Sequence, residues 1–298
     1  MPELDNLRIF TKVVSLGSMT EAANALGIAP SVVSKRIKRL EATLGVRLLQ
    51  RTTRQITVTE IGYDYYRRIE NVLHDLDEAN LSISKQTNEA TGLLRVSAPT
   101  SFGRLHIAPH LQVFLQQHAR LTVELNLSDN FIDIIADGYD VAIRIGEPRD
   151  STLIARKLAR VQRVLCASPD YIKQYGYPET ISDLKNHRCL QAHGGGSWSL
   201  EGPDGPFGVK PRSVLLTNSS EVVREATISG LGISLRSTWD IYRELRSGAL
   251  LQVMPAYEGS QNLWISALFA SRQHVPLKIR AFVDYLVHLY GTKAPWNV

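Results

Sequence analysis

GSMTEAANALGIAPSVVSKRIKRLEATLG, residues 17–45, contains two short helical patterns separated by Gly27-Ile28-Ala29. Gly17 closes an earlier helix in which Leu7, Phe10, Val13 and Val14 recur at helical spacing, with Asp5 as its expected N-cap. Ser18-Met19-Thr20-Glu21 fits a capping box, Ser18 capping the next helix and Glu21 reaching back. Ala22, Ala23 and Leu26 give that helix a small, tightly packing face before Gly27 stops it. Pro30 then stands at the first position of a third helix, where an N–H would have no intrahelical partner. Val33, Ile37, Leu40 and Leu44 form one apolar stripe along it. At about 100° per residue, Ser31, Lys35 and Lys38 fall opposite that stripe, with Ser34 and Arg39 on its flanks. Two helices joined by a short glycine-containing turn, the second basic on its outer face, match a helix-turn-helix.

The following residues extend the pattern. Residues 46–51 and 55–59 read as two short strands around Thr52-Thr53-Arg54, a wing with arginine at its base and tip. From Ser31 to Arg54 the basic residues are Lys35, Arg36, Lys38, Arg39, Arg47, Arg51 and Arg54, against Glu41 alone. Such a local excess is expected of a surface that neutralises nucleic-acid phosphates, with serine and lysine able to reach base edges.

Phe10, Gly17-Ser18, Ala22-Ala23, Leu26, Ser34, Ile37, Leu40-Glu41, Leu44-Gly45, Leu48-Leu49, Arg51, Thr59 and Gly62 together resemble the amino-terminal signature of the LysR-type transcriptional regulators. The resemblance is dense over the first sixty residues or so. It implies that Ser31, Ser34, Lys35 and Lys38 face the major groove, with Arg51 and Arg54 near the backbone or minor groove. Pro30-Ser31-Val32-Val33-Ser34 departs from the commoner Gln-Pro-Ser or Gln-Pro-Ala entry, so the bases read are not implied.

Thr59 can cap a long helix running to about Thr87, in which Ile69, Leu73, Leu76 and Ile83 form a heptad-like seam interrupted by Asn80. The seam suits pairing between two helices or packing onto its own domain, and both stay open. In the resembled family this helix pairs antiparallel across a dimer, giving a homodimer or homotetramer. Thr91-Gly92 reads as a hinge.

Beyond it strands and helices alternate, which argues for α/β units around a largely parallel sheet. Strands are expected at 94–98, 121–127, 140–145, 161–167, 214–216, 232–235 and 262–270. Helices are expected at 103–118, 131–137, from Pro169, from about Ser219, and at 276–290. Pro99 to Gly103, Asp140 to Gly146, Ala167 to Tyr171 and Gly230 to Ile233 resemble the family's regulatory domain, itself similar to periplasmic binding proteins. The expected fold class is therefore an all-α winged helix-turn-helix domain followed by an α/β effector domain of two subdomains. The boundaries are 1–59 for the DNA-binding domain, 60–91 for the linker helix and hinge, and 92–298 for the effector domain. Subdomain I takes about 92–162 and 267–298; subdomain II takes about 163–266.

Ligands of open α/β sheets bind at the carboxyl ends of strands, beside helix N-termini. Thr100, Ser101 and Phe102 follow the first strand, and Thr217, Asn218, Ser219 and Ser220 hold the corresponding place in the second subdomain. These hydroxyl-rich starts suit a small carboxylate or other polar anion, or serve simply as N-caps. Arg144 at a strand end supplies charge to such a ligand or forms a structural ion pair; the sequence leaves both open.

Composition bounds the alternatives. The chain of 298 residues carries a formal charge of +5, is 44% hydrophobic, and has only Cys166 and Cys189, too few for a disulfide framework. With no apolar leader or span in the sequence, a soluble cytoplasmic protein without membrane contact is expected. No P-loop, GxSxG or HExxH occurs, and Gly194-Gly195-Gly196 lacks the Lys-Ser/Thr of a phosphate loop. His106, His110 and His118 lack a carboxylate or cysteine partner in the pattern. No enzyme, cofactor or metal site is expected. The chain is read as a regulator binding double-stranded promoter DNA, a small effector and, through its response, RNA polymerase. The alternative is a cysteine-based redox sensor of the same family, which would need an accessible, stabilised thiolate.

Overall fold

Helices Leu4–Leu16, Met19–Leu26 and Pro30–Leu44 enclose a core of Phe10, Val13, Ala22, Ala23, Val33, Ile37 and Leu40, all fully buried. The computed structural model describes residues 2–51, 56–83, 89–130, 134, 137–147, 153–192, 196–270, 275–291 and 294–296. It divides into two units, Met1–Asn88 and Glu89–Val298. In the first, Gly17, Gly27 and Gly45 each end a helix with φ of 66°, 66° and 70°, a left-handed turn that favours glycine. Ser18 Oγ accepts from the Glu21 N–H at 3.3 Å, the forward half of the expected capping box. Asp5 is not the N-cap of the first helix: Glu3 holds that position, and Asp5 lies in the first turn, where its charge complements the helix dipole.

The wing strands are Leu49–Arg51 and Ile56–Val58, antiparallel with Leu49 opposite Val58 and Arg51 opposite Ile56. The first is shorter than expected because the N–H groups of Leu48 and Leu49 are taken by Glu41 Oε1. The tip, including Arg54, lies outside the described residues. Thr59 caps helix Glu60–Ile83: its Oγ1 accepts from Gly62 N–H at 2.9 Å and donates toward the carbonyls of Arg47 and Leu48. A Cβ on Gly62 would lie 2.1 Å from the Leu48 carbonyl oxygen, so only glycine allows this crossing. The expected continuation of the helix to Thr87 also lies outside the described residues.

The second unit contains two sheets. The first runs in the order Leu121–Leu127, Gly92–Ala98, Val141–Gly146, Trp264–Ala270 and Leu153–Arg160. Its first three strands are parallel, while Trp264–Ala270 is antiparallel to both neighbours. The second is built around Arg163–Ala167, Ile233–Ser237, Cys189–Ala192 and Ser213–Thr217, with Glu258–Gly259, Trp198–Gly202 and Gly205–Val209 on one side and Leu251–Gln252 beside Arg163–Ala167. Both sheets are mixed rather than largely parallel. The physical reason is continuity: Leu153–Arg160 leaves the first sheet, the chain enters the second two residues later, and Trp264–Ala270 brings it back in the opposite direction.

The helical run 100–117 and helix Leu277–Tyr290 cover the first sheet, with Phe114 and Phe282 edge to face at 5.4 Å. Buried Lys278 ties the closing helix to the sheet through the Leu93 carbonyl at 2.7 Å and Asp140 at 2.9 Å. The run 100–117 passes through a π turn, Gly103–Ile107, before continuing as Leu111–Gln117. Most of the expected helix 131–137 lies outside the described residues. Among the described residues, no helix is long and apolar enough to cross a membrane.

Candidate nucleic-acid interface and ligand cleft

The third helix sorts its residues by face. Ser31, Lys35, Lys38 and Arg39 are exposed, Ser34 and Arg36 are half-buried, and Val33, Ile37 and Leu40 point into the core. Arg36 and Arg39 each meet Glu3 at 2.8 Å, and Arg36 also donates to Asn6 Oδ1 at 3.2 Å. Glu3 thereby fixes two cations beside the start of the first helix. Lys35 and Lys38 lie on the face left open. Arg51 ends a wing strand, and its side chain is outside the described residues. Glu41, the one acid of the basic stretch, faces inward and binds the wing's first backbone N–H groups. The sequence showed its isolation but not its partner.

The expected pairing seam begins inside its own unit. Leu73 is buried and Ile69 half-buried against the three-helix core, and Tyr65 lies 5.9 Å from Phe10.

In the second unit the C-terminal end of Gly92–Ala98 lies beside the start of the parallel strand Val141–Gly146, with Val96 opposite Val141 and Ser97 opposite Ala142. Ser101 is buried there, its Oγ without a partner among the described residues. Arg144 donates to the Ile143 carbonyl at 3.0 Å and reaches Ser97 Oγ at 3.5 Å, leaving Nη2 buried and unpartnered. Burial lowers the pKa of its guanidinium, with Tyr139 acting in the opposite sense. Among the described residues Arg144 has no acid partner, which favours the ligand reading over the ion pair. Phe102 is fully buried against Trp239 and His106, a packing position.

The other candidates are occupied locally. The Thr100 N–H, expected to be free, is taken by Asp129 Oδ1 at 2.8 Å, so the helix start already faces a negative charge. Ser219 Oγ caps Ser220–Ile228 through the Val222 N–H, and Thr217 Oγ1 accepts from the Ser219 N–H at 3.1 Å. Asn218 is exposed. An ion pair also crosses between the helices of the two sheets: Arg104 Nε donates to Glu221 Oε1 at 2.6 Å. Neither residue stood out in the sequence, since each is an ordinary charge on a helix surface.

The two cysteines lie on either side of strand Ile233–Ser237, Cys166 opposite Ser234 and Cys189 opposite Ile233. Two strand spacings of about 4.8 Å separate them, beyond the reach of a disulfide. Both are fully buried, and burial pushes each thiol up to about 12. A thiolate sensor has no basis in this geometry.

Comparison with known proteins matches this arrangement at both ends. The model of a bacterial regulatory helix-turn-helix protein of the lysR family matches residues 4–63, and that of the LysR substrate binding domain matches residues 87–290. The chain belongs to the LysR family. Like other LysR-type proteins it is a DNA-binding transcriptional regulator with an effector-binding domain, not an enzyme. The transcriptional regulator DmlR of Escherichia coli K12 is 36% identical over 299 residues, covering 99% of this chain and 97% of its own. The transcriptional activator TtdR of the same strain is 33% identical, with 96% and 93% covered. Among solved structures, full-length AphB, a virulence activator of Vibrio cholerae, has a TM-score of 0.61 at 30% identity, covering 97% of this chain and 99% of its own. CrgA of Neisseria meningitidis has a TM-score of 0.62 at 31% identity, with 95% and 97% covered. These LysR-type structures share both the helical amino-terminal domain and the α/β regulatory domain.

Proposed function

We propose that this LysR-family regulator reads promoter DNA through the outer face of helix Pro30–Leu44 and responds to a small, polar, anionic effector. The observation that carries the first part is the division of that helix: Val33, Ile37 and Leu40 are fully buried while Ser31, Lys35 and Lys38 stay exposed. Ser31, Ser34, Lys35 and Lys38 enter the major groove. Arg36 and Arg39, held by Glu3, sit at its edge, and Arg51 and Arg54 reach the backbone from the wing. Residues 1–59 form the DNA-binding domain, 60–91 the linker and hinge, and 92–298 the effector domain.

The effector sits at the carboxyl ends of the first sheet's parallel strands, where Ser101 Oγ and Arg144 Nη2 are buried without partners. Arg144 supplies the charge that Asp129 denies the Thr100 helix start. Thr100 flanks the cleft on one side, and Thr217 to Ser219, with the Ser219 cap, on the other. The protein works in the cytoplasm as a homodimer or homotetramer. Effector binding favours one relation of the two sheets, and the resulting change in DNA spacing alters access for RNA polymerase.

The test uses the full chain and an operator selected from a random duplex library. Lys35→Ala weakens binding and reduces the slope of log affinity against log salt by about 0.9, one phosphate contact. Unchanged affinity and slope remove Lys35 from the interface. For the cleft, a thermal-shift screen of small acids against neutral sugars identifies the effector class. Saturation at about a hundred times the dissociation constant adds about 2.7 kcal/mol. Ser101→Ala lowers that shift while leaving operator affinity intact, and an equal shift in both proteins excludes Ser101.

A further inference from the structure

Strand Leu153–Arg160 forms one edge of the first sheet. It pairs with Trp264–Ala270 on its inner side, and no strand among the described residues pairs with its outer side. Ser266 faces Lys157 while Ile265 faces Ala159, so Leu158 is an extra residue, a bulge that bends the strand. The regular ladder is therefore Leu153–Lys157. Ile154, Ala155, Arg156 and Lys157 are all exposed, whereas Leu158 and Ala159 at the bulge are buried. An uncovered edge of this kind presents backbone N–H and C=O groups to any strand that can approach it.

The charge of this edge is one-sided. Arg156 and Lys157 are consecutive, so their side chains leave opposite faces of the strand. Neither has an acid partner among the described residues. Lys157 Nζ lies 4.3 Å from the centre of the Trp264 ring, a cation–π contact that holds the ammonium on that face without neutralising it. Arg160 adds a third positive charge past the bulge, bonded to neutral oxygens of Gln261. Two copies of this edge paired with one another would set cation beside cation, which is destabilising. These charges therefore exclude self-pairing and select a strand of opposite sign.

We propose that Leu153–Lys157 receives an extended acidic segment of a partner protein as an added antiparallel strand. Backbone hydrogen bonds supply the ladder, and two consecutive carboxylates of the partner, one on each face, meet Lys157 and Arg156. Two residues further along, an apolar side chain of the partner covers Ile154. Read in the partner's N-to-C direction, the pattern recognised is acid, acid, any residue, apolar.

The experiment is an anisotropy titration of the full chain at low salt with a dye-labelled peptide, Thr-Glu-Glu-Thr-Val-Thr. This peptide binds, and its Gln-Gln counterpart binds about tenfold more weakly. The double variant Arg156→Glu/Lys157→Glu, altered only at exposed positions, loses the acidic peptide and takes up a Lys-Lys peptide instead. Methylating alternate backbone nitrogens of the peptide separates strand addition from a contact between charges alone. One methylated set abolishes binding and the other preserves it, because only alternate N–H groups face the neighbouring strand. Absence of binding by the acidic peptide overturns the proposal. So do equal binding by the Gln-Gln peptide, an equal response to both methylated sets, or failure of the reversed pair to prefer the Lys-Lys peptide. A basic edge could instead meet nucleic acid, and the same variant decides that. A fall of about 1.8 in its slope of log affinity for operator DNA against log salt, two phosphate contacts, assigns the pair to DNA and overturns strand addition. An unchanged slope with the acidic peptide lost supports it.

Discussion

Glu41 Oε1 accepts from two consecutive backbone N–H groups, those of Leu48 and Leu49, at 2.9 and 3.1 Å. One side chain on the third helix therefore sets where the wing begins. Hydrogen bonds to a charged group contribute about 1.5–3 kcal/mol each, and their loss leaves two backbone donors near a buried segment. Glu41→Ala is expected to destabilise the amino-terminal unit by about 3 kcal/mol, two bonds at the low end of that range, and to weaken operator binding by loosening the wing. Glu41→Gln, which keeps an acceptor oxygen, loses less on both counts. Urea unfolding and anisotropy titration of the two variants check this, and equal losses would deny the acceptor role. Gly62 is constrained as tightly, since a methyl group would meet the Leu48 carbonyl at 2.1 Å. Gly62→Ala should cost about 1–3 kcal/mol through forced backbone movement, read as a lower urea midpoint. At this scale the sequence revealed residue types but not their partners. Lys35 and Lys38 could be read from helical phase alone, whereas the bonds of Glu41 span a turn, and those of Glu3 to Arg36 and Arg39 join separate helices.

Elements were legible where local chemistry announces them. The caps at Ser18, Thr59 and Ser219, the glycine stops and Pro30 all stand where the sequence placed them, because each acts within a few residues. Strand Leu121–Leu127 matches its expected bounds. Strands Leu153–Arg160, Trp198–Gly202 and Gly205–Val209 were not anticipated: their burial follows sheet partners far away in sequence, and Leu153–Arg160 carries charges through its middle. Helix Thr238–Ser247 was also missed, though it carries Trp239 into the aromatic cluster around His106 on the helical run 100–117. His106 is buried, its Nε2 lies 2.8 Å from the Trp239 carbonyl, and Trp296 stacks edge-on at 4.6 Å. Burial first, and then the field of Arg243, lower its pKa to about 4, opposed by the Trp239 carbonyl and Asp240. Above the unfolded value near 6.5 the imidazole is neutral in both states and costs nothing. As pH falls from there toward the folded value, the unfolded chain takes up the proton first, so stability is lost across that window. Between pH 7 and 5 the expected loss is about 2 kcal/mol. Urea unfolding of the wild type and His106→Gln at both pH values measures it, and an equal pH response in the two proteins would remove His106 as the source.

At the scale of the regulatory unit, two sheets are joined by short crossings, and the helices covering them meet at Trp239 and His106 and, nearer the surface, through Arg104 and Glu221. The mixed direction of the strands and this contact share one cause, since a chain that crosses and returns brings distant segments to the same cleft. That is why neither was legible: nothing in the local pattern at Arg104 or Glu221 refers to the other. The pair is half exposed, with 50% of the arginine and 32% of the glutamate side chain open to solvent, so its strength is limited to about 0.2–1 kcal/mol by hydration and screening. A contact of that size cannot hold the sheets together, but it can bias a relation whose alternatives differ by a few kcal/mol. Arg104→Ala, Glu221→Ala and the double variant should give a coupling within that range by urea unfolding at low salt. The coupling should fall toward zero at about 1 M salt, where the Debye length is about 3 Å. Amide exchange in the first turn of Ser220–Ile228 should accelerate in both single variants, because Glu221 then no longer anchors that turn to the opposite helix. A coupling of zero at low salt would make the pair incidental. A coupling that survives high salt would instead assign it to packing of the arginine stem, and the bias between the sheets would then be steric in origin.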